Sequence, residues 1–221
     1  MSVNKPKVLL MADWFEPGYK AGGPIRSCVN FCQHLKNDLN IFVLTTDRDL
    51  GESNPYSTIR PNEWLDYNEH VKIFYLSPDR ISFDFIRELI GVISPDIIYL
   101  NSMYSKYFSL YPLMMKRRNL VKGKIILAPR GMLKESAIQF KKGKKRIFLS
   151  LMKVTGLHRK VTFHCTDDVE VRDVKKYFGN APSVMLPNFP GYQKPFKPVA
   201  KHPGILRLLF VGRIHPIKNL D

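Results

Sequence analysis

The sequence predicts an α/β fold built on a doubly wound parallel sheet, and three observations predict it. Short apolar runs recur along the whole chain, bounded by Gly, Pro or polar residues and not alternating in polarity, as strands buried on both faces do. Helical stripes lie between several of them, and strand alternating with helix implies a parallel sheet wrapped by helices. The composition is that of a folded domain: 221 residues, 44% hydrophobic, 12% aromatic and 24% charged. That aromatic share and mixed charge exclude a disordered chain.

The predicted strands, in order, are Lys7–Ala12, Ile41–Thr45, Val71–Leu76, Ile97–Leu100, Ile125–Ala128, Val161–Cys165, Val184–Leu186 and Leu206–Val211. The first contains only five consecutive apolar residues, Val8–Ala12, before Asp13. It is expected to be a buried strand, too short for the core of a signal peptide. The first helix is read from Ile25, Cys28, Val29, Cys32 and Leu35, one stripe at helical spacing, with Pro24 at its first position,. Phe85, Ile86, Leu89, Ile90 and Ile93 make a second stripe; Val169, Val174, Tyr177 and Phe178 make a third, opening after Thr166-Asp167 and stopping at Gly179,. The Pro-rich stretch 188–204 shows no apolar period and reads as a linker. Residues 1–187 are thus expected to form one domain, and 205–221 the start of another whose remainder is absent. No run of eighteen apolar residues occurs, so no membrane span is predicted. The three cysteines, Cys28, Cys32 and Cys165, are read as core thiols in a reducing compartment, the cytoplasm.

In such a sheet ligands bind at the carboxyl ends of the strands, so the residues just after each strand carry the chemistry. Gly22-Gly23 after the first strand lets a ligand approach the backbone at a helix N-terminus, where a phosphate could dock, although the glycines could also serve turn geometry alone. Asn101 and Ser102 end the fourth predicted strand; they could bind a sugar hydroxyl or cap the next helix. Arg130 leaves a buried strand toward the same edge, as an anion ligand or one half of an ion pair. His164 could act as a base, or be hydrogen-bonded and half-buried. Finally, Arg213 and Lys218 flank a Pro-containing loop after the last strand, a spacing that lets a guanidinium fork and an ammonium face one polyphosphate.

Charge supplies a separate signal. The chain has 35 Lys and Arg against 19 Asp and Glu, a net +16. Lys134–Lys160 holds nine of those cations and only Glu135 in opposition. Ile138, Ile147, Phe148, Leu151, Met152 and Val154 provide an apolar helical stripe within it. A basic amphipathic segment of this kind lies on anionic bilayers or is a solvated face over a core helix. Lys141, Lys142, Lys144, Lys145 and Arg146 are the candidate surface contacts. Nucleic acid is not expected as a partner, because no helix-turn-helix, RRM or zinc pattern accompanies the charge.

Taken in order, Gly22-Gly23-Pro24, Pro129-Arg130-Gly131-Met132-Leu133, His164-Cys165-Thr166, Pro187-Asn188 and the closing LLFVGRIHPIKNLD resemble the N-terminal half of a retaining glycosyltransferase. The group is GT4, with two facing Rossmann-like domains in the GT-B arrangement. The resemblance implies transfer of a hexosyl group from a nucleotide diphosphate sugar to a saccharide or lipid-linked acceptor, with retained configuration, no cofactor and no catalytic metal. It implies that the amides at Gly22 and Gly23 approach the donor phosphate, and that Arg213 and Lys218 neutralise the leaving diphosphate. Asn101, Ser102 and Arg130 become acceptor-side candidates, and Asn101, Arg130 and His164 the catalytic ones. The pattern departs where relatives carry a His-x-His-Gly-like stretch and this chain reads Tyr99-Leu-Asn101-Ser102. The Glu-x₇-Glu element of the donor domain is also absent, so these 221 residues alone are expected to be inactive. Work on lipid-linked sugars at the inner membrane face, in surface polysaccharide or lipopolysaccharide synthesis, is the implied setting. The alternative expectation is a basic Rossmann-like protein that binds without catalysis, as a scaffold or on nucleic acid.

Overall fold

A computed structural model describes residues 5–139, 142–191 and 204. The chain divides into two compact units, Met1–Pro190 and Gly191–Asp221, and everything below concerns the first. The predicted strand Leu206–Val211, together with Arg213, Lys218 and Lys141, lies outside the described residues.

Eight strands form one sheet: β1 (Lys7–Met11), β2 (Asn40–Thr46), β3 (Trp64–Asn68), β4 (Val71–Leu76), β5 (Ile97–Leu100), β6 (Lys124–Leu127), β7 (Val161–Cys165) and β8 (Ser183–Met185). Their order is β3-β4-β2-β1-β5-β6-β7-β8. Every pairing is parallel except β3 with β4. The sheet is therefore mixed, with one antiparallel edge that the reading of apolar runs missed. The reason lies in WLDYN itself, which is short, only partly buried and interrupted by a bulge between Asp66 and Asn68. Edge strands are commonly kept short, charged and bulged, and so lack the apolar run that marks a central strand.

The helices are α1 (Gly23–Leu35), α2 (Phe83–Ile93), α3 (Tyr111–Arg117), α4 (Glu135–Gln139), α5 (Lys142–Val154) and α6 (Asp168–Phe178). A π-helical turn, Lys106–Leu110, leads into α3; neither was foreseen, because the Tyr- and Ser-rich stretch before Pro112 carries no clear stripe. Local chemistry starts and stops the others. Ser82 caps α2 by accepting the Phe85 amide, and Asp167 caps α6 by accepting that of Glu170,. Gly179, at φ +61°, ends α6.

Two packed layers result. The period of two along β1 sends Leu9 and Met11 to one face and Val8 and Leu10 to the other,. The first face receives Ile86, Leu89 and Ile90 of α2, Leu113 of α3, Leu149 and Met152 of α5 and Val174 of α6. On the second face, among the described residues, only α1 packs among the helices, through Ile25, Cys28, Val29 and Cys32. Each such fully buried aliphatic side chain contributes about 1.5–3 kcal/mol of transfer free energy. All three cysteines are buried and unbridged, as core thiols should be. The connection from β1 runs to β2 on one side, whereas β5 lies on the other side of β1. The strand order thus reverses at β1, and the crevice at the carboxyl ends of β1 and β5 is the topological switch point.

Candidate functional site

Arg130 stands at the centre of that crevice. It follows β6 in the loop to α4 and adopts φ +53°, next to Gly131 at φ +73°. Two successive left-handed residues turn the chain sharply, and a non-glycine in that region costs of order 1–3 kcal/mol. The conformation is held from below by Glu170, a fully buried carboxylate on α6. Glu170 accepts the Gly131 amide, the Thr166 amide at 2.7 Å and the Thr166 hydroxyl at 2.9 Å. The loops after β6 and β7 are thereby fastened to one carboxylate.

The guanidinium of Arg130 donates three ways. Nε bonds the Asn101 side-chain oxygen at 2.8 Å, Nη2 the Tyr99 hydroxyl at 2.8 Å, and Nη1 the side-chain oxygen of Asn188. All three acceptors are neutral, so the guanidinium is oriented without its charge being cancelled by them. Asn101 in turn donates to the Pro24 carbonyl at 3.2 Å, tying the arginine to the first turn of α1. The network continues inward through the Tyr99 hydroxyl to His164 Nδ1 at 2.6 Å and from His164 Nε2 to the Leu186 carbonyl at 2.7 Å. A carbonyl only accepts, so Nε2 carries the proton, Nδ1 accepts, and Tyr99 donates to it. Burial lowers the pKa of His164, and nearby Arg130 adds to the effect. Burial likewise raises that of the Tyr99 phenol. His164 is therefore a neutral, doubly engaged structural link rather than a free base.

A polar pocket of about 240 Å³ opens beside this network, lined by Gly23, Pro24, Ser27, Arg130, Thr166 and Asn188. An apolar cavity of about 280 Å³ adjoins it along Ser27, Arg130 and Asn188 and runs over Ile97 and Ile126 of the sheet. Gly22, at φ +67°, is the position that needs glycine for its backbone,. Gly23 does not, and a Cβ there would meet no atom within 4 Å, so the backbone at the mouth of α1 is open to approach. Asp13, two residues past β1, is half-buried and accepts the Ser105 hydroxyl at 2.6 Å. Burial pushes its carboxyl up, against that hydrogen bond.

The structure thus brings Gly22, Gly23, Asn101, Arg130 and His164 to one edge. Ser102 stands apart: it is buried, with its hydroxyl against the Met132 sulfur at 3.8 Å and its carbonyl accepting Ser109. Lys142, Lys144, Lys145 and Arg146 belong to α5 and none lines the pocket. Reading the sequence missed Tyr99, Glu170 and Asn188 as members of the network. Glu170 had a signal, since Asp167 and Glu170 occupy the N-cap and N3 positions of a capping box. Its carboxylate reaches past the cap to Thr166 and Gly131 instead. Among the described residues no cluster of three His, Cys, Asp or Glu side chains could hold a metal ion.

No protein-family model and no curated protein matches the chain. Among solved structures, sucrose-phosphate synthase from Thermosynechococcus elongatus superposes with a TM-score of 0.51 at 9% identity, over 83% of this chain and 48% of that one. A shorter structure of the same enzyme covers 82% of this chain and 88% of its own, with a TM-score of 0.46 and 8% identity. The chain spans about half the length of the longer neighbour. At this identity the likeness speaks for the fold alone, and the fold is a Rossmann-like α/β domain of the kind that sucrose-phosphate synthase contains.

Proposed function

We propose that this domain is the acceptor-side half of a GT-B, GT4-type retaining glycosyltransferase. The observation that carries the reading is the meeting of Gly23, at the mouth of α1, with an Arg130 oriented by neutral acceptors alone, in one polar pocket at the switch point. In this reading a nucleotide diphosphate sugar presents its phosphates to the open backbone at Gly22 and Gly23. Arg213 and Lys218 stabilise the diphosphate as it leaves, because positioned cations act most strongly where charge develops in the transition state. Arg130, with its planar fork fixed by Tyr99, Asn101 and Asn188, binds an anionic or hydroxyl-bearing group of the acceptor, a saccharide or lipid-linked sugar. Asn101 orients Arg130. His164 serves the network by holding Tyr99, so the catalytic candidates reduce to Arg130 and Asn101. The setting proposed is synthesis of surface polysaccharide or lipopolysaccharide from the cytoplasmic side.

The test is transfer and donor hydrolysis by the full-length product with a panel of UDP-, GDP- and ADP-sugars. Activity with one donor is expected, reduced by more than about a hundredfold in Arg213→Ala and Lys218→Ala. Retention is read from the anomeric configuration of the product. No turnover and no nucleotide binding with any donor would overturn the reading. The 221-residue piece alone is expected to show no turnover.

A further inference from the structure

The hydrogen bonds that run inward from Arg130 end on a backbone carbonyl, and both ends fix their direction. Arg130 Nη2 donates to the Tyr99 hydroxyl at 2.8 Å, and a guanidinium has no acceptor. His164 Nε2 meets the Leu186 carbonyl at 2.7 Å, and a carbonyl has no hydrogen to give. Between them Tyr99 Oη and His164 Nδ1 lie 2.6 Å apart. One placement of hydrogens satisfies all three bonds. Each group donates toward Leu186, and the imidazole holds a single proton, on Nε2. Tyr99 and His164 are both buried, so a bond lost there is costly. The Leu186 carbonyl also lies two residues before Asn188, whose side-chain oxygen accepts Arg130 Nη1. His164 therefore steadies two of the three acceptors of the fork, Tyr99 at its hydroxyl and Asn188 through the backbone at Leu186.

From this one-way chain we infer that His164 is a positioning residue for Arg130, and that a second proton on its imidazole releases the guanidinium fork. Protonated Nδ1 becomes a donor. It turns its hydrogen against the Tyr99 hydroxyl, whose own hydrogen then has no acceptor and is driven toward the Arg130 N–H. The Arg130–Tyr99 bond is lost, and two cations repel one another across one phenol. The groups that His164 faces set the balance. Burial of the imidazole comes first and opposes the added proton,. The Leu186 carbonyl after β8 favours it, Arg130 in the loop after β6 opposes it, and Glu170 of α6 favours it. The Tyr99 phenol of β5 stays un-ionised, because burial raises its pKa. The imidazole is thus neutral at pH 7, and acid unlocks the fork. Where Arg130 receives the acceptor, which rests on the transferase reading above, acceptor binding weakens as the pH falls.

The experiment is a titration of the full chain from about pH 8 to about pH 5, followed by NMR of the arginine side chains and histidine rings. The guanidinium signals of Arg130 are identified by their absence in Arg130→Lys, and the His164 ring by its absence in His164→Gln. In the wild type the Arg130 signals are expected to broaden over the same pH range in which the His164 ring titrates. In His164→Gln, whose neutral amide both accepts and donates, they are expected to persist to lower pH. Tyr99→Phe removes the middle link, keeps the ring, and is expected to leave the Arg130 signals blind to His164. Thermal midpoints at neutral pH report that the variants remain folded, and Tyr99→Phe carries the test if the glutamine does not fit. A His164 ring that titrates while the Arg130 signals of the wild type stay fixed overturns the inference. So does a ring that remains neutral until the chain unfolds. With the full-length product, acceptor KM is expected to rise at least about fivefold between about pH 7.5 and about pH 5.5, with kcat changing less. Coupled titration of His164 and Arg130 without turnover on any donor would uphold the positioning role and fail the transferase reading instead.

Discussion

The Arg130 loop and helix α5 both carry cations, but they treat them in opposite ways. Around Arg130 each guanidinium nitrogen has a partner, the backbone is bent into the left-handed region, and a buried carboxylate fastens two loops at once. On α5 Lys142, Lys144, Arg146 and Lys153 are exposed beside aliphatic side chains that are exposed too, and Lys145 reaches back to the Ala137 carbonyl at 2.6 Å. The first region is over-determined, as a site must be when it has to hold a charge in one place. The second is held by few such bonds, as a solvated helix face is. Position in the fold separates the two: one lies at the switch point of the sheet, the other on the outer side of a helix whose inner side is already packed.

The sharpest way to break the contrast is to remove the fastening. Glu170→Ala strands the Gly131 and Thr166 amides and the Thr166 hydroxyl in a partly buried position and leaves a void beneath them, and is expected to destabilise the domain by about 2–4 kcal/mol in urea unfolding. A loss below about 1 kcal/mol would show that the loops hold their shape without the carboxylate. Next in size is Arg130→Lys, which keeps the charge but loses the fork. Two of the three side-chain bonds have no donor left, so a stability loss of about 1 kcal/mol is expected, while transfer by the full-length product falls at least tenfold. Equal transfer by this variant and the wild type would demote the fork to a structural role.

Acidification sharpens the comparison further, because α5 carries no carboxylate and no histidine. The folded pKa of His164 lies below its ordinary 6.5, burial being the main cause. The stability tied to the neutral imidazole is therefore complete above about 6.5 and declines as the pH falls toward the folded value. Asp13 acts with the opposite sign. Its folded pKa is raised above 3.8, again by burial, so protonation on acidification relieves the folded state. The wild type is expected to lose stability between neutral pH and the point where Asp13 protonates, and His164→Gln to flatten that slope. An unchanged slope in the variant would place the titrating group elsewhere. The smallest effect belongs to α5, where Lys144→Ala or Leu151→Ser is expected to move stability by no more than about 0.5 kcal/mol. A larger loss would mean that these exposed side chains pack on protein after all.

Where physics is local, the sequence was legible. Seven of the eight strands follow from apolar runs, and α1, α2 and α6 from their stripes, because burial on one or both faces imposes those periods directly,. The convergence of Gly23, Asn101 and Arg130 was legible too, since parallel topology delivers strand ends to one edge. What escaped was non-local. WLDYN becomes a strand only because β4 offers it an edge. The left-handed turn at Arg130 is maintained by a carboxylate 40 residues away, and no spacing rule announces that. In α5 the stripe from Ile147 to Val154 looked single, but adjacent residues on a helix lie about 100° apart, and neighbours such as Ile147 and Phe148 or Leu151 and Met152 part to opposite faces.

The buried thiols give the molecule an unplanned convenience. Burial pushes Cys28 up to about 12 and Cys165 to about 11, and raises Cys32 well above its usual value. At neutral pH almost none of the three is thiolate, the form that reacts with alkylating labels. The native chain is therefore spectroscopically silent toward thiol chemistry. A single Leu151→Cys change, at a position 50% exposed, would install the one reactive sulfur, and a fluorophore or spin probe carried there would report on the outer side of α5 without disturbing the core.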